Sequence, residues 1–280
     1  MRLFLKECIV FFVFLCVVAQ GHAAGAPPQR IISLGPTVTK SLYLLGAEDR
    51  LIANTVYCSS PPGAREKEKI GTATRMNVEK IFNLKPDLVL ATSLTNPGAK
   101  EKLKNLGINV VTFPAPVDFS RMCEQFLELG KLIGKEKEAE KIVKEARDKA
   151  ISLREKTEGL SKPKVLVQIG AHPLFVATER YFVNDYIEFA GGVNIAKGAK
   201  EGIYSREQVL VADPAVIIIA TMGIAAEEEK EIWRKYAKLS AVKNDRIYIV
   251  ETDKLTSPTP VSFVKTLEEM VSILHSGEMR

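Results

Sequence analysis

Two patterns of apolar and polar residues alternate along this chain. Short runs of consecutive apolar residues, many of them β-branched, indicate strands covered on both faces and therefore parallel sheets. Stretches with helical spacing separate most of these runs, so the chain is predicted to consist of βα units, an α/β fold. The predicted strands are 30–33, 51–53, 87–91, 108–113, 164–169, 215–220 and 246–250.

The segment 119–160 differs because it contains no strand pattern. Apolar residues recur there at helical spacing, and 136–158 has the pattern of one long charged helix with an apolar stripe. A helix of about 20 residues spans about 30 Å, the diameter of a small domain. This segment is therefore predicted to connect two lobes. A surface helix belonging to one lobe is the alternative.

One unit of the pattern occurs twice. Each copy has a capping residue, a short helix, a proline and a buried strand. Glu79 and Glu207 are 128 residues apart, and Pro86 and Pro214 keep the same spacing. The residue before a proline avoids the α-helical region, so each proline is predicted to end a helix. A unit used twice predicts two similar lobes, and clefts between α/β lobes bind ligands.

The first residues are typical of an export signal. Arg2 and Lys6 precede an apolar run and small residues around Ala23. An apolar run of about 7–15 residues is too short to span a bilayer, so cleavage and a periplasmic mature protein are predicted, with a membrane anchor as the alternative. The predicted division of the chain is a signal peptide at 1–23, an N-terminal lobe at 24–118, a helical connection at 119–160 and a C-terminal lobe at 161–280.

Composition argues against several classes of function. The net charge is +5 with both signs interspersed, which argues against nucleic-acid binding. Cys58 and Cys123 remain after cleavage, and free thiols are expected, with a disulfide as the alternative. Only His172 and His275 remain of the histidines. We therefore expect no resident metal site and no cofactor.

An exported α/β hydrolase is the alternative from another class. It would need a nucleophile and a base, but the chain has no G-x-S-x-G motif and few histidines. The stretch 134–136 also lacks the upstream glycine and the Ser/Thr of a phosphate-binding P-loop. We therefore expect a binding protein rather than an enzyme.

Several segments, taken in order along the chain, resemble one known family. The most specific are MNVEKI at 76–81 and LKPDLVLA at 84–91, and further matches lie at 30–37, 44–51, 57–64, 191–195 and 205–210. These segments resemble the helical-backbone (class III) periplasmic substrate-binding proteins of ABC importers for cobalamin, ferric siderophores and haem. The resemblance implies two Rossmann-like lobes, each with a mainly parallel sheet, joined by one long α-helix, with the ligand between the lobes.

The resemblance also implies one acidic residue in each lobe that docks to arginines of the membrane permease. Glu79 and Glu207 occupy the matching positions. The alternative is purely structural, because a carboxylate in the first turn complements the helix dipole by about 0.3–1 kcal/mol. The partners implied are the permease and, through it, the ATPase subunit. The protein itself is expected to be a monomer.

Ligand contacts are predicted in the loops that follow the carboxyl ends of the strands. Aromatic rings there can stack on a flat ligand, and an arginine can pair with an anionic chelate. Packing or solvated surface is the alternative for each residue. The predicted ligand-binding residues are Pro36, Thr37, Tyr57, Thr74, Arg75, Leu94, His172, Phe175, Tyr204, Met222 and Thr256.

Differences within the family bear on the identity of the ligand. The stretches 57–64 and 205–210 resemble the cobalamin branch most closely, although Ala73 stands where that branch tends to have a tryptophan. The loop 92–96 offers no Tyr or His for haem iron, and Arg75 is the one clear cleft arginine for a siderophore. The expected cargo is therefore a cobalamin or related corrinoid, with a ferric siderophore or haem as the alternatives.

Overall fold

Two five-stranded sheets, one in each half of the chain, form the framework of the molecule. The computed structural model describes residues 26–220 and 226–278, so the predicted signal peptide 1–23 and Met222 lie outside the described residues. All seven predicted strands are present. Three further strands have two residues each, too few to produce a sequence pattern. The strands are β1 (Ile31–Ser33), β2 (Leu51–Asn54), β3 (Glu68–Lys69), β4 (Leu88–Thr92), β5 (Val110–Phe113), β6 (Lys164–Gly170), β7 (Phe175–Val176), β8 (Val193–Asn194), β9 (Val216–Ala220) and β10 (Ile247–Val250).

Helices connect the strands and cover the sheets. Among the described residues they are α1 (Pro36–Leu44), α2 (Val78–Asn83), α3 (Pro97–Asn105), α4 (Phe119–Leu132), α5 (Glu136–Lys156), α6 (Val183–Phe189), α7 (Arg206–Ala212), α8 (Ala226–Arg234), α9 (Ser240–Lys243), α10 (Thr252–Thr256) and α11 (Pro260–Leu274).

The strand order identifies both lobes as Rossmann-like. The first sheet has the order β3-β2-β1-β4-β5, and every neighbouring pair is parallel. The second has the order β10-β9-β6-β7, with β8 also paired to β6, and β7 is its antiparallel member. The predicted α/β fold, with two lobes built on mainly parallel sheets, is confirmed.

The sheets are buried on both faces, and one hydrophobic cluster is shared by the two lobes. This cluster contains Leu90 of β4, Ile218 of β9 and Val143 of α5. The opposite faces of the sheets form separate clusters, around Ile32 in the first lobe and Ile217 in the second. Because a close-packed core resists separation, the shared cluster favours small rocking of the lobes over wide opening.

The helix α5 is the long helix that joins the lobes. It has 21 residues, which corresponds to about 30 Å at 1.5 Å per residue. It packs against α4 and α11, and its buried residues recur at helical spacing, namely Ala139, Val143, Ala146, Ala150 and Leu153. The connection also contains α4, which ends just before Gly134, whose φ of 68° only glycine adopts readily. None of the helices among the described residues is long and apolar enough to cross a membrane.

A stack of three aromatic rings packs three helices together beside this connection. Phe263 of α11 is fully buried and lies between Phe119 of α4 and Tyr186 of α6. The ring centroids are 4.4 Å and 4.3 Å from that of Phe263, and the rings are close to parallel. Phe189 packs edge-on against the same ring, with centroids 6.1 Å apart. The stack is therefore a central element of the shared core.

Candidate functional site

The candidate ligand site of the first lobe lies at one edge of its sheet. Because all the strands are parallel, the loops that follow β1, β2, β3 and β4 emerge on the same side. Six of the predicted residues lie at this edge: Pro36 and Thr37 begin α1 after β1, and the loops carry Tyr57 after β2, Thr74 and Arg75 after β3, and Leu94 after β4.

The second lobe presents four predicted residues at the equivalent edge. His172 follows β6, Phe175 begins β7, Tyr204 directly precedes the cap of α7, and Thr256 ends α10, which follows β10. The bridge between Phe175 and Ile203 holds two of these loops together. Met222 would follow β9 but lies outside the described residues.

Contacts between the lobes show that the two edges face a common cleft. Lys40 of α1 donates to Asp253 Oδ2 at 2.5 Å and to the Ser257 carbonyl at 2.9 Å. Both α1 and the segment around α10 begin at carboxyl ends of strands. A small cavity of about 30 Å³ lies beside this contact, and its walls come from both lobes.

Two side chains give the first lobe an open apolar surface. Tyr57 is 67% exposed and Leu94 is 74% exposed, and their loops follow β2 and β4, the two strands that flank β1. Arg75 is also exposed and forms no ion pair with any residue that the structure describes. This combination suits a ligand with a broad apolar face and one anionic group, and the individual roles stay predictions.

A tight hairpin holds Thr74 and Arg75 in place. Gly71 and Met76 form its bridge, and the Thr72 amide donates to the Arg75 carbonyl at 3.1 Å. The Arg75 amide in turn donates to Thr72 Oγ1 at 2.9 Å. Gly71 has a φ of 97°, a backbone conformation that residues with a Cβ atom rarely adopt. The glycine is therefore required for the turn that presents Arg75.

Replacing Gly71 with alanine is expected to lower the free energy of unfolding by about 2–4 kcal/mol, because the strained φ and a steric clash add together. The new Cβ would lie 2.4 Å from the Arg75 carbonyl oxygen. Gly107→Ala is the matched control, since Gly107 has a φ of 79° but no atom within 4 Å of its Cβ position. Urea denaturation gives the free energy of unfolding of both variants. Equal losses would show that the hairpin contact contributes nothing.

In the second lobe the predicted residues differ in accessibility. His172 is exposed, whereas Tyr204 is half-buried and its hydroxyl donates weakly to the Ile195 carbonyl at 3.5 Å. Two residues that sequence reasoning missed, Tyr181 and Ile203, are exposed near Phe175. Ile203 lies in the loop before α7, and an apolar side chain in a loop was the available signal. Tyr181 had no such signal.

The repeated unit has the local structure that its sequence predicts. Asn77 Oδ1 accepts from the Lys80 amide at 2.9 Å. Ser205 and Gln208 form a reciprocal capping box. Glu79 and Glu207 are consequently the second residues of α2 and α7. Each helix begins at the carboxyl edge of its sheet, so the two carboxylates lie on the cleft side of their lobes.

Both carboxylates are exposed, and neither forms an ion pair within the described part of the chain. The neighbouring cations have partners of their own, since Lys80 pairs with Glu68 and Arg206 pairs with Glu229. Hydrogen bonds from its own amide and from Ser205 hold the pKa of Glu207 below its ordinary value, so it stays ionised. A shallow hollow of about 300 Å³ lies beside Glu79. Each lobe thus carries an exposed negative charge without an ion-pair partner among the described residues.

The groups that could hold a metal ion are sparse. Within 26–220 and 226–278, no three His, Cys, Asp or Glu side chains are grouped as metal ligands. Cys58 and Cys123 are buried and free, which confirms the expected thiols. Burial raises the pKa of Cys123 to about 11, so this thiol is unreactive at neutral pH.

Comparison with known proteins agrees with this architecture. The vitamin B12-binding protein of Vibrio cholerae serotype O1 is 29% identical over 256 residues, which are 90% of this chain and 91% of that protein. YvrC of Bacillus subtilis, an uncharacterized ABC transporter substrate-binding lipoprotein, is 28% identical over 257 residues, covering 89% and 80% of the two chains. The crystal structure of the periplasmic vitamin B12 binding protein BtuF of Vibrio cholerae has a TM-score of 0.77 at 28% identity, covering 91% and 99%.

A family model described as periplasmic binding protein matches residues 31–253, most of the chain. The matched stretch includes all ten strands of the two sheets, the helix that joins the lobes and both copies of the repeated unit. The chain is therefore an extracytoplasmic protein and belongs to the periplasmic binding protein family.

Proposed function

We propose that the protein is the substrate-binding component of an ABC importer, that it captures a cobalamin or related corrinoid in the cleft, and that it delivers this ligand to the permease. The observation that carries the proposal is the cleft itself, with exposed ring and apolar surface at its edge and one uncompensated carboxylate on each side. The names of the relatives from Vibrio cholerae and Bacillus subtilis support the same role.

A corrinoid suits the side chains at the cleft better than a highly charged ligand does. A corrinoid is a broad macrocycle with amide arms, and cobalamin carries a single phosphate. Tyr57 and Leu94 provide apolar surface, Thr74 provides a hydroxyl, and Arg75 provides one cation for the phosphate. A ferric siderophore with several negative charges would leave most of its charge unpaired here.

A ferric chelate or haem is the second candidate, and one observation favours it. Tyr57 and His172 are both exposed, and they belong to loops of opposite lobes. A phenolate or an imidazole can coordinate haem iron. A Soret band in the absorbance spectrum of the purified protein would support haem over a corrinoid.

Several finer points belong to the same proposal. Glu79 and Glu207 dock to basic residues of the permease, and the ATPase subunit supplies the energy. Residues 1–23 are removed on export, and the mature protein acts as a monomer without a cofactor or catalytic residues of its own. Alignment with relatives that are binding proteins supports a carrier over an exported hydrolase.

Replacing Tyr57 with alanine is expected to weaken cobalamin binding by at least about tenfold, because stacking and burial of an aromatic ring are worth about 1.5–3 kcal/mol. The matched control is Leu106→Ala, since Leu106 is also exposed but lies at the opposite edge of the same sheet. Fluorescence titration with cyanocobalamin gives the dissociation constant of both variants. Similar affinities for Tyr57→Ala and the control would remove Tyr57 from the site.

A further inference from the structure

A buried polar network lies directly behind α7. Glu229 of α8 is buried and accepts hydrogen bonds from Arg206 Nη2 at 2.7 Å and Gln168 Nε2 at 2.8 Å. Trp233 Nε1 donates to Gln168 Oε1 at 2.7 Å. The Arg206 guanidinium lies over the Trp233 ring, 4.5 Å from its centroid. The four side chains form a closed circuit that joins α7, α8 and β6.

The first turn of α7 has few other attachments to its lobe, whereas at the other end of the helix Leu210 packs against the core and Lys164 Nζ donates to the Ala212 carbonyl at 3.0 Å. Of its seven residues, which the structure describes in full, only Val209 is buried. A helix of seven residues is too short to be stable alone, so its position depends on contacts with the lobe. Arg206 is the first residue of the helix and Glu207 is the second. The Arg206–Glu229 ion pair therefore attaches the first turn of α7, which carries the docking carboxylate of Glu207, to the rest of the lobe.

The first lobe has a weaker version of this arrangement. Lys80, which follows Glu79, pairs with Glu68 and donates to the Lys69 carbonyl at 2.9 Å. The two charged side chains are 39% and 51% exposed, whereas those of Arg206 and Glu229 are 18% and 4% exposed. Exposed ion pairs contribute little, because water screens them. The comparison provides a matched control on the same molecule.

We propose that Arg206 is a positioning residue for docking: anchored by Glu229, it fixes α7 and thereby the place at which Glu207 meets the permease. The inference rests on the proposed docking role of Glu207. A carboxylate held in place before association loses less conformational freedom on binding, so fixing it raises affinity for the partner. Gln168 and Trp233 complete the hydrogen bonds of this anchor in the core of the lobe.

A double-mutant cycle tests the inference. Affinity is measured between the purified protein and the importer complex of its own organism in nanodiscs. Glu207→Gln is expected to weaken binding by about tenfold or more, and Arg206→Met by about three- to tenfold. When Glu207 is already Gln, Arg206→Met is expected to cause no further loss, because a residue that acts through another is not additive with it. Glu68→Gln in the first lobe should change affinity less than about twofold.

The outcomes separate the inference from the proposed function. If Glu207→Gln leaves affinity unchanged, the docking role itself is wrong. If Glu207→Gln weakens binding but Arg206→Met does not, or does so equally in both backgrounds, docking stands and the positioning role is overturned. Because Arg206→Met leaves a buried charge unpaired, Arg206→Met with Glu229→Gln repeats the test without that charge. Thermal melting checks the fold, and wild-type affinity in this double variant would also overturn the inference.

Discussion

Changing both Glu79 and Glu207 to lysine is expected to abolish transport and leave ligand affinity within about twofold. Each carboxylate is exposed and without an ion-pair partner among the described residues, so reversal places a cation against the basic surface proposed for the permease. Placing like charges against each other costs several kcal/mol at an interface, and the double variant has two such contacts, one for each lobe. Uptake of radiolabelled cobalamin in cells that express each variant measures transport.

Glu101→Lys with Glu155→Lys is the matched control for this charge reversal. Both glutamates are exposed and lie on α3 and α5, so the net charge changes equally while the cleft side of the lobes does not. This control should transport like the wild-type protein. Transport by the Glu79 and Glu207 double variant at the control's rate would disprove the docking role.

Phe263→Ala is expected to have the largest effect on stability, a loss of about 3–5 kcal/mol in the free energy of unfolding. Phe263 is fully buried between Phe119 and Tyr186, so truncation leaves a cavity where α4, α6 and α11 meet. Since total stability of a domain is about 5–15 kcal/mol, the variant should melt at a much lower temperature.

Phe82→Ala is the comparison for this effect, because Phe82 is 47% exposed on α2 and its removal leaves no enclosed cavity. Its loss should stay below about 1 kcal/mol. Thermal and urea unfolding of both variants supply the measurement. A small loss for Phe263→Ala would mean that the shared core repacks easily and does not depend on the stack.

Local signals made most of the fold predictable from the sequence. The consecutive apolar residues of β4 and β9 indicate buried parallel strands, and the caps Asn77 and Ser205 set the starts of α2 and α7. The two-residue strands β3, β7 and β8 were not predicted, because two residues cannot show a period and their pairing depends on distant partners.

The anchor behind α7 could not be predicted from the sequence for a different reason. The first turn of the helix α8 contains three successive glutamates after Ala226, which is typical of a solvated surface. Glu229 is nevertheless buried, because Gln168 and Arg206, 61 and 23 residues away, supply its hydrogen bonds. From the sequence, the predicted ligand contacts could be assigned only to loops. Which of these residues touch the ligand depends on how the two lobes meet around it, and no local pattern shows that.

Titration calorimetry of the mature protein with cyanocobalamin, a ferric siderophore and haemin tests the central claim most directly. We expect one site per chain for cyanocobalamin, with a dissociation constant of about 1 μM or lower, and weaker or no binding of the other two. Tight binding of haemin or the ferric siderophore with none of cyanocobalamin would contradict the choice of ligand. Failure to bind any of the three would contradict the proposal that the cleft carries a metal chelate.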